Sequence, residues 1–210
     1  MATARHRTAA GVLLLGAMLV ARAAGAQVQQ PPGPYVIDVR GTTLSVPQTS
    51  DFYPLIPSTT VIPARGFGLH AGAHLYPWAL RSWPVGIGVE YFLDRATATT
   101  PVAPASESAG TVTRVQVDPD VRVTQQIISP QVSLNFGTSR GWSYLSTGAG
   151  SGRVTSTAGS DKRTTSKLAV NAGAGARWFL TEHLGVGFDL RAHWLGSQAL
   201  FAASAGFSFK

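Results

Sequence analysis

Residues 173–194 read GAGARWFLTEHLGVGFDLRAHW, and the alternation within them limits the possible folds more than any other feature of the chain. Val186, Phe188, Leu190, Ala192 and Trp194 form an apolar set, while Gly187, Asp189, Arg191 and His193 between them are small, charged or titratable. Only an extended strand puts every second side chain on one side, so this period predicts a β-strand whose two faces meet different surroundings.

The same period recurs along the chain. Leu168, Val170, Ala172, Ala174, Ala176 and Trp178 face away from Lys167, Asn171, Gly175 and Arg177. Phe67, Leu69, Ala71, Ala73 and Leu75 oppose Gly68, His70, Gly72, His74 and Tyr76; Val85, Ile87, Val89, Tyr91 and Leu93 oppose Gly86, Gly88, Glu90, Phe92 and Asp94. Ile128, Val132, Leu134 and Phe136 alternate with Ile127, Ser129, Gln131, Ser133 and Asn135, and Pro130 within that run, having no N–H for a ladder, predicts a bulge or local defect. Phe201, Ala203, Ala205, Phe207 and Phe209 close the chain opposite Leu200, Ala202, Ser204, Gly206 and Ser208. Two runs are less regular: 35–44, with Tyr35, Ile37 and Val39 against Asp38, Arg40 and Thr42, and 141–151, led by Trp142 and Tyr144. These make eight segments of about ten residues, the length that crosses a bilayer when tilted.

One apolar face per strand can be buried inside a soluble barrel or turned outward into lipid. The second set decides between these, because it is dominated by Gly with isolated Asp, Arg, His, Glu and Asn instead of the Lys, Glu, Thr and Gln of a solvated face. Such a face suits a narrow interior in which opposite charges pair. Connections support the same choice: 77–84, 137–140 and 180–184 are short, whereas 45–65, 95–124 and 152–165 are long and alternate with them; the last turn, near Gly196, is short. Trp78, Trp83, Trp142, Trp178 and Trp194 fall near strand ends, as residues of an aromatic girdle do. The expected fold is all-β, an eight-stranded antiparallel up-and-down transmembrane β-barrel over 35–210, preceded by a Pro-rich lead at 27–34.

The first 26 residues read as a secretory signal, with Arg5 and Arg7 before the apolar run 9–20 and Ala24-Gly25-Ala26 as the cleavage site, so that Gln27 opens the mature chain. Removing Arg5, Arg7 and Arg22 leaves a net charge of +4, and the remaining basic residues are scattered, which gives nucleic-acid binding no support. There is no Cys, hence no disulfide, thiolate metal site or lipid-anchor cysteine.

The residues that look chemical fit an interior network better than a site of reaction. His70 and His74 lie about 13 Å apart on a strand at roughly 3.3 Å per residue, too far to share one metal ion. Asp189, Arg191 and His193 share a face, with Asp38, Arg40, Glu90, Asp94, Asn171 and Arg177 available from other strands; no nucleophile–base spacing accompanies them. No G-x-S-x-G elbow occurs, and GAGSG at 148–152 lacks the Lys and helix of a phosphate loop. The expectation is a structural lumen network with no catalytic residue, cofactor or metal.

The unit GAGARWFLTEHLGVGFDLR resembles the small OmpA-like outer-membrane β-barrel domain of Gram-negative bacteria, most closely over 168–210. The resemblance implies export to an outer membrane, contact with membrane lipid, and recognition of the C-terminal aromatics Phe207 and Phe209 by the barrel-assembly machinery. Here the final aromatic is followed by Lys210, whereas the family usually ends on one. The expected role is structural or adhesive, non-enzymatic and carried by long outer loops. Two alternatives stay open: a small-solute or lipid-like carrier or narrow channel using the lumen, and a soluble secreted β-barrel binding module.

Overall fold

The computed structural model describes residues 33–53, 61–99 and 120–210. The expected signal, the start of the Pro-rich lead and the middle of the third connection lie outside the described residues. Eight strands, β1 (Tyr35–Ser45), β2 (Arg65–Leu80), β3 (Trp83–Ala98), β4 (Val121–Thr138), β5 (Gly141–Ala158), β6 (Asp161–Phe179), β7 (Leu184–Leu195) and β8 (Gln198–Phe209), pair in chain order. Every pairing is antiparallel, and β1 meets β8 to close the barrel, for example through Asp38↔Ser208 and Val39↔Phe207.

The apolar set faces outward. Phe67 is 72 % exposed and Leu190 58 %, whereas Asp38, Glu90 and His193 on the opposite faces are at most 1 % exposed. A soluble barrel would reverse this arrangement, so the soluble module is set aside.

The strands are unequal, and this corrects the expected lengths. β4, β5 and β6 run to 18, 18 and 19 residues, while β1, β7 and β8 have 11, 12 and 12. The stretch 152–165, expected as a long loop, is a ladder from Gly152↔Lys167 to Ala158↔Asp161 with only Gly159 and Ser160 in the turn. Apolar alternation marks a strand only where lipid or core demands it; backbone pairing continues beyond, here with Thr and Ser on the outside. Likewise 77–84 shrinks to Arg81 and Ser82, Arg81 adopting a left-handed φ of 57°.

Pro130 makes a defect but no bulge: Ile128↔Ser151 and Gln131↔Gly148 keep one register with the pairs between them missing. The bulge lies instead at Pro77, where Tyr76 and Pro77 of β2 stand against Gly86 alone between the pairs Leu75↔Ile87 and Trp78↔Val85. That extra residue resets the alternation. Tyr76 turns inward, and Trp78 still faces out at 54 % exposure.

Inside, apolar layers cap both ends. At the long-connection end Leu44, Phe92, Val121, Val123, Ile127, Val154, Leu195 and Leu200 pack with Val46, Phe52 and Tyr53 from the segment after β1. A 3₁₀ turn at Ser50–Phe52 folds that segment over the mouth. At the short-turn end Val36, Trp142, Tyr144 and Phe179 form the second layer, with Trp142 and Phe179 stacked at 5.1 Å. Trp142 therefore leaves the expected girdle: it is 3 % exposed and faces the lumen, while Trp78, Trp83, Trp178 and Trp194 face out.

Candidate functional site

Between the two apolar layers lies a charged layer built from inward positions of seven strands. Its first centre is Asp38 on β1. Arg40 Nη2 donates to Asp38 Oδ1 at 2.7 Å, Arg177 of β6 donates through Nε and Nη2 to both carboxylate oxygens, and Ser208 Oγ of β8 donates to Oδ1 at 2.6 Å. Two guanidinium groups thus share one carboxylate. The Arg177 guanidinium also lies 4.2 Å from the Tyr144 ring centroid, and that π-face helps to stabilise the surplus positive charge.

The second centre is Arg191 on β7. Its Nε and Nη2 donate to Asp189 at 3.2 and 3.0 Å, Nη2 to Glu90 Oε1 and to Ser146 Oγ at 2.9 Å each, and Nη1 to Gln131 Oε1 and Asn171 Oδ1 at 3.0 and 2.7 Å. Ser129 Oγ accepts from Gln131 and from Asn171 at 2.8 and 3.0 Å, and so fixes the amides that receive the arginine. Tyr144 joins the centres: its hydroxyl accepts from Arg40 Nη1 and donates to Asp189 Oδ2, each at 2.9 Å. Three carboxylates, Asp38, Glu90 and Asp189, then face three arginines, Arg40, Arg177 and Arg191, a balance that a buried layer requires.

Glycine makes room for these side chains. A Cβ on Gly175 would stand 2.4 Å from the Tyr144 hydroxyl, and one on Gly88 would stand 2.6 Å from His74 Nδ1. Close approach, not a special backbone angle, requires Gly at both.

The expected site residues do not all join the network. Asp38, Arg40, Glu90, Asn171, Arg177, Asp189 and Arg191 are hydrogen-bonded together. His74 reaches Glu90 only at 3.5 Å, and His70 only at 3.9 Å, although His70 Nδ1 meets Ser204 Oγ at 3.0 Å. His70 stacks on Phe92 at 4.1 Å, and His193 packs edge-on against the same ring. Both His193 nitrogens and both Asp94 oxygens are buried without a hydrogen-bond partner, so these two residues lie beside the network. Among the described residues no group of three His, Cys, Asp or Glu could hold a metal ion.

Sequence reasoning missed Tyr144, Gln131, Ser129, Ser146 and Ser208. Only Tyr144 left a signal, as an aromatic at an inward position facing Gly175 across the ladder. Outside the charged layer, Tyr53 donates through its hydroxyl to Pro47 O at 2.8 Å, and burial pushes its phenol up. Burial lowers the Lys210 ammonium, which sits 4.3 Å from the Phe179 ring centroid and donates to Ser139 O.

Among the described residues, an apolar layer crosses the lumen at each end with the charged layer between them. A hollow of about 560 Å³, bordered by Tyr35, Ile37, Ala73, Leu75, Ile87 and Val89, lies on the outside of the barrel. The lumen is filled as an eight-stranded barrel allows.

A family described as outer membrane protein beta-barrel domain matches residues 10–209. Similar solved structures include Ail, the attachment invasion locus protein of Yersinia pestis, at 12% identity and a TM-score of 0.54 over 84% of this chain and 97% of that one. Neisserial surface protein A is similar at 14% identity and a TM-score of 0.54, over 84% of this chain and 96% of that one. At these identities the likeness is one of fold. Among curated proteins, none matches in sequence.

Proposed function

Because the chain belongs to the outer membrane β-barrel family, we propose that it is a non-enzymatic surface-interaction protein, held in the outer membrane by its apolar belt and meeting its surroundings through the long-connection end. The observation that carries this reading is the filled lumen. Apolar layers cap both ends, the mouth segment with Phe52 and Tyr53 lies over one of them, and every acid of the charged layer is bound to an arginine. A lumen so occupied leaves recognition to the outside of the barrel. The connections at 46–64 and 99–120 and the raised ladders of β3 to β6 all lie at one end, which this reading takes to be the outer one.

The proposed path to that place is export with cleavage after Ala26 and insertion by the barrel-assembly machinery through Phe207 and Phe209. Both phenylalanines face outward at 55 % and 41 % exposure, within reach of a docking partner. The experiment is cell autoaggregation: cells expressing the chain should settle faster than cells without it. Replacing 100–119 by a short turn should abolish the difference while the barrel keeps its heat-modifiable gel mobility. Equal settling with and without the chain would remove the adhesive role.

A further inference from the structure

The outward strand positions carry charge in one region only among the described residues. Among the described residues, the outward positions of β1, β7 and β8 hold no ionisable group except Tyr35, whereas β2 to β6 each carry one cation near the long-connection end: Arg65, Arg95, Arg122, Arg153 and Lys162. All five are exposed, and none makes an ion pair or side-chain hydrogen bond with another described residue. Among the described residues no outward strand position holds a carboxylate. Asp120, the residue before β4, shares a notch with Arg122, Thr157 and Gly159 at the upper margin.

The register gathers these cations into one arc. Thr97, Arg122, Thr157 and Lys162 form a continuous cross-strand row. Arg95 pairs with Thr124, one step below, and Gln126 pairs with Arg153, a step lower again; Arg65 lies two residues above Phe67, the partner of Arg95. Adjacent strands stand roughly 4.8 Å apart, so Arg122 and Lys162, two strands apart, are about 10 Å from one another at the backbone. Hydroxyls fill the gaps, with Thr155 Oγ1 and Thr164 Oγ1 3.1 Å apart. On the same face, Phe67 and Leu93 lie two residues below Arg65 and Arg95, and Ile128 and Leu168 flank Ser151, two residues below Arg153, as the start of the apolar belt; Arg122 and Lys162 stand higher, six residues above Ile128 and Leu168.

We infer that this arc is a binding surface for the phosphate-bearing headgroups of lipids in the adjoining leaflet. Guanidinium forks and hydroxyl donors match phosphate oxygens. The position selects a membrane source over a soluble polyanion: Arg65, Arg95 and Arg153 share a face with the apolar belt and stand at its upper edge, with Arg122 and Lys162 above them, so a headgroup can reach the arginines while its acyl chains lie on Phe67, Leu93, Ile128 and Leu168. The inference is independent of the loop-mediated role, since it uses no residue of 46–64 or 99–119.

The test uses the full mature chain folded in nanodiscs of zwitterionic phosphatidylcholine doped with diphosphorylated lipid A, with retained lipid A counted by native mass spectrometry after gentle detergent extraction. The combined variant Arg95→Gln, Arg122→Gln, Arg153→Gln should retain at least tenfold less lipid A than wild type. Arg81→Gln, in the turn at the other end, should match wild type, and raising the salt concentration should weaken wild-type retention. Heat-modifiable mobility verifies that each variant is folded, and if the combined variant does not fold, Arg95→Gln and Arg153→Gln alone should each reduce retention about threefold. Equal retention by wild type and the folded variants would overturn the proposal, as would equal retention of dephosphorylated lipid A. Heparin binding as tight as that of lipid A, lost in the same variants, would assign the arc to a soluble polymer and equally overturn it.

Discussion

Tyr144 is the residue on which the interior turns, because its hydroxyl is the direct bridge between the Asp38 and Arg191 centres. Tyr144→Phe keeps the ring beneath Arg177 and leaves Arg40 and Asp189 each short of one hydrogen bond. The expected cost is about 1–3 kcal/mol in urea unfolding from lipid vesicles. Asp38→Asn should cost more, about 3–5 kcal/mol, since it leaves Arg40 and Arg177 buried without their carboxylate; a smaller loss than for Tyr144→Phe would mean that the two arginines find another counter-charge. On the outer face, Leu190→Arg should cost roughly 2–4 kcal/mol at mid-membrane. His193→Asn, beside the network, should cost less, and equal folding yields for these two variants in vesicles would contradict the assignment of faces. The charged members of the layer were legible because they break an apolar alternation on β1, β3, β6 and β7. The hydroxyls and Tyr144 were not, since Ser is common on any strand and an inward tyrosine acquires meaning only from the glycine across the ladder.

At the scale of elements, the outward parity of seven strands followed directly from the sequence, and β5 was the exception. Its outward positions, Thr147, Ala149 and Ser151, are small, so its one aromatic pair was the only guide, and Trp142 was misplaced with it. Strand ends were illegible for a related reason: above the apolar belt the ladders are held by backbone hydrogen bonds that any Thr- or Ser-rich sequence can make. The stretch 45–65 was expected as a long outer loop, yet its described part just after β1, with Val46, Phe52 and Tyr53, covers the mouth. Phe52, 2 % exposed, fills the apolar cap. Phe52→Ala should therefore cost about 3–5 kcal/mol, as for a core aromatic, seen as a lower temperature for loss of the folded gel band. An unchanged temperature would show that the segment only rests there. The connection between β3 and β4 should behave oppositely. Shortening 98–112 to a Gly-Asn turn should change stability by about 1 kcal/mol or less, because loop-closure entropy varies only logarithmically with length; failure of this variant to insert would show that the segment takes part in folding.

For the whole molecule, the layered lumen predicts no steady ion conduction. Purified chain in planar bilayers should leave the baseline current unchanged, and a reproducible open level would mean that one apolar cap yields. Architecture was the most legible level, since eight amphipathic segments joined by alternately short and long connections admit few arrangements besides an up-and-down barrel; the slope of the rim was hidden with the strand ends. The seam between β1 and β8 has a consequence in time. Asp38 acquires its Ser208 hydroxyl, and β1 its second neighbour, only from β8. During synthesis the first strand is made long before its partner exists, with one edge bare and an apolar face that water cannot satisfy. The ring cannot close until β8 is made, so the earlier strands must be kept from aggregating until then, and the moment of closure belongs to that strand.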